Sequence, residues 1–185
     1  MALKSTVFKA ELQVSDLDRH YYATHPLTLA RHPSETDERM MARLLAYALN
    51  ADEMLAFAGD VSAQDEPSLW IKDLTGAIRL WIEVGLPDPK LLRKAAGRSD
   101  AVMVYAYGRG ADLWWADAAG TCTQIDCLSV WKLPQATSQA LAALASRSMQ
   151  LQCLVQDGDI TFSDASTTVQ VECVPLKARS VGMGR

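Results

Sequence analysis

Apolar and polar residues alternate at the start of the chain, with Phe8, Ala10, Leu12 and Val14 set against Lys9, Glu11 and Gln13. A two-residue period puts the two sets on opposite faces, which predicts a half-buried strand. Ser15-Asp16-Leu17-Asp18 supplies turn chemistry, and a second strand runs through Leu27 and Leu29. Pro26 marks that strand as an edge or a bulge, because proline cannot donate to a ladder. The period then changes. Met41, Leu44, Leu45, Ala48, Asp52 and Leu55 recur at helical spacing, with Ser34 as the expected N-cap, Asp37 completing something like a capping box, and Gly59 as the end.

The stretch from Pro67 to Val84 predicts a hairpin turning at Asp73-Leu74-Thr75-Gly76. If Leu74 and Thr75 form the loop, Asp73 pairs with Gly76 and Glu83 pairs with Glu66. One face then holds Glu66, Ser68, Trp70, Lys72, Arg79, Trp81 and Glu83, and the other holds Leu69, Ile71, Ile78, Leu80 and Ile82. Pro87-Asp88-Pro89 opens a short helix, with Asp88 as cap and Pro89 in its first position, that ends near Gly97. Ala101 to Tyr105 reads as a buried strand. A short helix holding Trp114 and Trp115, a strand from Leu128 to Leu133 and a helix from Gln135 to Ala145 follow. Near the C-terminus Met149, Leu151, Cys153 and Val155 alternate with polar residues, Asp157-Gly158 signals a tight hairpin, and Val169, Val171 and Cys173 alternate again.

This order predicts an α/β domain over residues 1–176: a mixed sheet flanked by helices, with an extra antiparallel sheet in which the N- and C-terminal strands pair. Residues 177–185 carry no periodicity and are expected to form a disordered tail.

Composition narrows the classes of function. The chain has 185 residues, 49% hydrophobic and 22% charged, with a net charge of −4 and a pI near 5.3. Nucleic-acid binding therefore needs a local basic patch. The four cysteines form no C-x-x-C pair, the start has no apolar signal core, and no apolar run approaches a membrane span. These features predict a soluble cytoplasmic protein with reduced thiols. Phosphate-loop, dinucleotide and nucleophile-elbow motifs are missing, and His20, His25 and His32 lack a metal-ligand spacing.

The residues that can carry chemistry lie around the first hairpin. Two carboxylates on adjacent strands, a third on a helix and a lysine are what a metal-dependent phosphodiesterase needs, because carboxylate oxygens bind Mg²⁺ and the metal activates water. Glu66 and Glu83 are the strand pair, Glu38 the helical acid, and Lys94 and Arg98 flank the expected cleft. Glu35, Arg39 and Arg43 are expected to point outward. Plainer accounts also fit the residues: a frayed strand end at Glu66, first-turn helix acids at Glu35, Asp37 and Glu38, and a solvated basic helix face. Trp70 or Trp81 can stack a base if exposed.

Two segments carry a family resemblance. Leu29-Ala30-Arg31-His32-Pro33-Ser34-Glu35-Thr36 with Glu38-Arg39-Met40-Met41, and Asp65-Glu66-Pro67 with Leu80-Trp81-Ile82-Glu83-Val84-Gly85-Leu86-Pro87-Asp88, resemble the signatures of the bacterial YaeQ family. Met1-Ala2-Leu3-Lys4 and Leu128-Ser129-Val130-Trp131 also fit, and the similarity runs from Met1 to about Cys173. The resemblance implies a restriction-endonuclease-like fold with added strands and a degenerate PD-(D/E)XK nuclease site. By that pattern Glu38 is the helical acid and Glu83 the acid of the Glu-x-Lys motif. Ser68 stands where the Asp belongs and Gly85 where the Lys belongs. Glu66 would replace the lost acid and Lys94 the lost lysine. The expected activity is Mg²⁺-dependent hydrolysis of nucleic acid, with Mg²⁺ on Glu66 and Glu83. Two alternatives stand beside it. One is a non-catalytic module that binds nucleic acid or a protein partner through Lys72, Arg79, Lys94 and Arg98. The other is a structural remnant whose acids form internal salt bridges.

Overall fold

The computed structural model describes residues 5–59 and 65–180, arranged as two sheets and four helices. One five-stranded sheet is built from both ends of the chain: β1 (Thr6–Asp16), β2 (Tyr21–Arg31), β8 (Ser148–Gln156), β9 (Asp159–Ser163) and β10 (Thr168–Val171), in the order β10-β9-β8-β1-β2. A six-stranded sheet holds the middle: β3 (Leu55–Phe57), β4 (Leu69–Lys72), β5 (Ile78–Val84), β6 (Ser99–Tyr107), β7 (Leu128–Leu133) and β11 (Val174–Lys177), in the order β11-β7-β6-β5-β4-β3. The helices are α1 (Asp37–Leu49), α2 (Pro89–Ala96), α3 (Ala111–Cys122) and α4 (Gln135–Ala142). Among the described residues no helix is long and apolar enough to cross a membrane.

In the first sheet the predicted alternation becomes burial. Ala10, Leu12 and Val14 lie opposite Met149, Leu151 and Cys153 across the β1–β8 pairing, and these six, with Phe8 and Val155, are buried. That pairing is parallel, with Leu12 opposite Leu151, so the sheet is mixed rather than antiparallel as expected. Parallel neighbours need a long crossover, and here β2, the four helices and β3 to β7 of the second sheet all lie within it. β2 is one of the two edge strands, and Pro26 sits in it opposite Glu11. The β8–β9 turn is the tight hairpin its dipeptide predicts, with Asp157 and Gly158 both at positive φ (54° and 82°). The Asp18 carboxylate accepts the amides of both residues at 2.8 and 2.9 Å, which ties this turn to the one between β1 and β2.

In the second sheet β5, β6 and β7 run parallel, and α2 and α3 are their crossovers. Leu92, Ala95, Ala118 and Cys122 of these helices pack with Trp81, Val102, Val104 and Val130. α1 is packed with residues of both sheets, and every position from Met40 to Ala48 is buried. A helix enclosed this way shows no simple stripe.

Several expected boundaries are corrected. Thr36, not Ser34, caps α1, its hydroxyl accepting the Arg39 amide at 3.1 Å. Ser34 instead pairs with His32. The helix stops at Leu49, and Leu55 lies on β3, a three-residue strand too short to show a period. α4 ends at Ala142. Lys177 is not part of a loose tail. It closes β11, and its ammonium donates to the carbonyls of Ile125 and Leu128, while the Ser180 amide reaches the Asp126 carbonyl. Residues 181–185, the rest of the expected tail, and residues 1–4 lie outside the described residues.

The Asp18 clamp yields a test. Asp18→Ala leaves two turn amides to water and should cost about 1 kcal/mol, a fall of about 2–4 °C in melting temperature. An unchanged midpoint would mean that the hairpin closes without the carboxylate.

Candidate functional site

The β4–β5 hairpin sets the site, and its register differs from expectation by two residues. Leu69 lies opposite Ile82, Trp70 opposite Trp81, and Ile71 opposite Leu80. The turn is longer than two residues because the Asp73 carboxylate organises it. That group accepts the amides of Thr75 and Ala77 at 2.8 and 3.0 Å and the Thr75 hydroxyl at 2.6 Å, and these bonds hold it well down, at about 2. A slip of two keeps each side chain on its face, so Trp70, Trp81 and Glu83 remain together. An irregularity at Arg79 then places Ile78 opposite Lys72 and moves Ile78 to the Trp81 side. The register brings Ser68, not Glu66, level with Glu83.

Beyond this point lies a cleft of about 380 Å³. Glu66, Pro67 and Ser68 line one side, Glu83, Val84 and Gly85 another, and Arg39 and Arg43 of α1 contribute as well. Leu86, Pro87 and Leu91 add an apolar margin. Glu66 and Glu83 thus share the cleft. The Glu66 carboxylate is exposed and accepts the Gly59 amide at 3.2 Å.

Glu83 is the more unusual acid. Its one hydrogen bond among the described residues comes from Trp81 Nε1 at 2.8 Å, on the same strand face. Burial raises its carboxyl above the ordinary glutamate range, while the Trp81 bond and the Arg39 charge pull the other way without offsetting it. Glu35 has the opposite solution. Its carboxylate is fully buried and receives Arg43 Nε and Nη2, each at 2.8 Å, and Arg39 Nη1 at 3.1 Å. The expectation that Glu35, Arg39 and Arg43 point outward is therefore corrected. Glu35 precedes the helix, in a turn where its amide bonds the His32 carbonyl, so helical angles do not apply to it. The spacing of four between Glu35, Arg39 and Arg43 was the available signal.

The other expected site residues are placed elsewhere. Glu38 does not line the cleft; the Ser138 hydroxyl of α4 donates to it, because α1 packs on α4. Lys94 is ion-paired with Asp65 at the exposed surface. Arg79 bridges Asp73 and Asp100 at 2.5 and 2.7 Å. Lys72 lies 3.3 Å over the Trp70 ring, and Arg98 lies over Trp81 while donating to the Asp65 carbonyl. Nearby acids and indoles thus occupy the basic set. Trp81 is buried, which removes it as a stacking platform. Gly85, which follows Glu83 by two residues in the cleft wall, has φ +122°, a conformation side-chain-bearing residues rarely adopt.

The donor set bears on which ion could fit. Among the described residues no group of three His, Cys, Asp or Glu side chains converges. Zinc, which takes three or four protein ligands, does not suit this site. Mg²⁺ keeps several waters and often takes only one or two carboxylates, which matches Glu83 with Glu66.

Comparison with known proteins places the chain. A family model described as YaeQ protein matches residues 1–173. The "Uncharacterized protein YaeQ" of Salmonella typhi is 46% identical over 173 residues, covering 93% of this chain and 96% of that one. Its counterpart in Escherichia coli K12 is 45% identical over 172 residues, covering 92% and 95%. The crystal structure of YaeQ protein from Xanthomonas axonopodis pv. citri superimposes with TM-score 0.90 at 44% identity, covering 94% of this chain and 99% of that one. That of YaeQ protein from Pseudomonas syringae also gives 0.90, at 35% identity, covering 95% and 97%.

Two measurements probe the contrasting acids. A carboxyl whose pKa is higher folded than unfolded stabilises the fold when protonated, and that contribution is lost as pH rises through the folded value. Glu83→Gln should therefore melt above the parent at neutral pH, with the gap closing in acid; a gap that widens in acid would refute the raised value. Glu35→Ala leaves two guanidiniums facing a buried gap and should cost roughly 3–5 kcal/mol in urea unfolding. A loss below about 1 kcal/mol, typical of exposed pairs, would show that the cluster is solvated.

Proposed function

The chain belongs to the YaeQ family, and from that premise we propose that its cleft is a degenerate PD-(D/E)XK site on a restriction-endonuclease-like core, hydrolysing phosphodiester bonds of nucleic acid with Mg²⁺. The observation that carries this reading is Glu83: a carboxyl whose burial outweighs the Trp81 bond and the Arg39 charge, set against a cleft that a second carboxylate, Glu66, also lines. Holding an unpaired acid in low dielectric costs stability. A divalent cation removes that cost and lowers the pKa of the acid.

In this reading Glu83 and Glu66 hold the ion, and Trp81 Nε1 fixes one Glu83 oxygen, while the other has no donor among the described residues. Bound there, Mg²⁺ would supply an activated water and neutralise charge on the phosphate. Leu86, Pro87 and Leu91 make one margin of the cleft apolar. Glu38, held by Ser138, takes no part. The second reading, binding without cleavage, is favoured by one feature: the motif lysine is replaced by a glycine whose backbone conformation disfavours any side chain.

The discriminating experiment incubates the protein with single- and double-stranded DNA and RNA at several Mg²⁺ and Mn²⁺ concentrations. Cleavage that needs metal and disappears in Glu83→Ala is the expected result, together with a metal-dependent rise in melting temperature that Glu83→Gln lacks. Salt-sensitive binding that survives Glu83→Ala, with no cleavage, would replace the catalytic reading by the binding one.

A further inference from the structure

We propose that Arg39 and Ser68 form an anion site on the floor of the cleft, suited to the oxygens of a phosphoryl group. This rests on the cleft being the functional site and assigns the side chains that hold the non-reacting part of the substrate. Ser68 is the rigid half. Its amide donates to the Ile82 carbonyl at 3.0 Å, and its carbonyl accepts the Ala58 amide at 3.3 Å. Pro67 leaves the ladder, and the Ser68 hydroxyl oxygen takes over as acceptor for the Val84 amide at 3.2 Å. The same oxygen accepts Arg39 Nη2 at 3.3 Å. A hydroxyl has two acceptor lone pairs and one proton. Two donors fill the lone pairs, so what Ser68 has left to offer is its proton, and none of the described residues accepts it. Ser68 is only 8% exposed yet lines the cleft, so a ligand there is the partner within reach.

Arg39 is the charged half. Among the three ion-paired groups, Glu35 carries one negative charge against the two positive charges of Arg39 and Arg43, leaving +1, which Glu83 feels through space without a hydrogen bond to Arg39 among the described residues. That charge is best presented by Arg39, whose side chain is 24% exposed, against 5% for Arg43. Glu35 and Ser68 hold its guanidinium at two nitrogens, and among the described residues its remaining N–H groups have no acceptor. A fixed guanidinium fork matches phosphate oxygens and loses little freedom on binding. Lys72, Arg79, Lys94 and Arg98, the obvious cations, are occupied by acids or indoles. The cleft thus has an acidic side at Glu83 and Glu66 and a basic side at Arg39, the polarity that a phosphodiester bridged to a cation requires.

Inorganic phosphate is the probe, titrated into the full chain at constant ionic strength in the presence of a chelator. The Trp81 indole N–H resonance reports it, since that group sits on Glu83 at the cleft; Trp81→Phe assigns the signal. A saturable shift is expected. Arg39→Gln should weaken it roughly tenfold, the scale of one charge-assisted contact. Ser68→Ala should weaken it severalfold, and Arg39→Lys should retain part of it as a point charge. Near-ultraviolet circular dichroism checks folding; if Arg39→Gln fails to fold, Ser68→Ala and Arg39→Lys decide the matter. A response no larger than that to chloride, or affinity unchanged in the folded variants, overturns the proposal. Phosphate binding without any nucleolytic activity upholds the anion site and ends the cleavage reading. Cleavage without a phosphate response does the reverse.

Discussion

The Glu35 carboxylate, buried between two guanidiniums, is the constraint on which the rest of this end of the molecule depends. A carboxylate with no access to water must be paired and hydrogen-bonded. Arg43 meets that need through both carboxylate oxygens, and Arg39 adds a third bond. The consequences are geometric. The turn before α1 is drawn in against the helix, which begins only at Asp37. Arg39 is then anchored at one nitrogen, and a second reaches Ser68 on the adjoining sheet. One buried charge therefore sets the distance between the start of α1 and the ends of β4 and β5, where the cleft opens.

The long-range frame comes from the two ends of the chain. β1 and β8 lie side by side within the first sheet, and the 131 residues between them, from the β1–β2 turn to the end of α4 and beyond, make the crossover that their parallel pairing requires. α1 fills the space between the sheets and is buried from Met40 to Ala48, and the one charged residue in that stretch, Arg43, is paired with Glu35. The cleft sits at the start of this helix. A site at the end of a rigid, fully packed helix is precise in the sense that its side chains inherit the order of the core.

What the sequence made legible follows from locality. The strand at Phe8–Val14, the Asp157-Gly158 turn and the Asp88-Pro89 helix start are each specified by a few adjacent residues, and all three form. The hairpin register was less accessible. The facing of Trp70 and Trp81 is a matter of period, but Asp73 selects the loop length through side-chain bonds that no alternation shows. Ser34 and Thr36 are both competent caps, and the choice between them depends on where Glu35 finds its arginines. The parallel pairing of β1 with β8 is not written locally at all. Within the cleft, Glu66 and Glu83 were visible as acids flanking a hairpin, whereas Arg39 was hidden by a helical wheel drawn from the wrong first residue.

Glu83 gains its meaning from the contrast with Glu35. Glu83 lines the cleft and Glu35 lies behind it, on the two arginines that line it, and the fold treats the two acids in opposite ways. Glu35 is neutralised by the chain itself, with two arginines already present. Glu83 has an indole N–H and a guanidinium that is shared with Glu35 and Ser68, and its carboxyl is left raised. If stability alone shaped this region, an apolar residue or glutamine at position 83 would serve better, since neither carries an ionisation cost. An acid left short of a counter-charge, beside a second acid and across from a fixed arginine, is the arrangement expected where the missing charge arrives with a ligand.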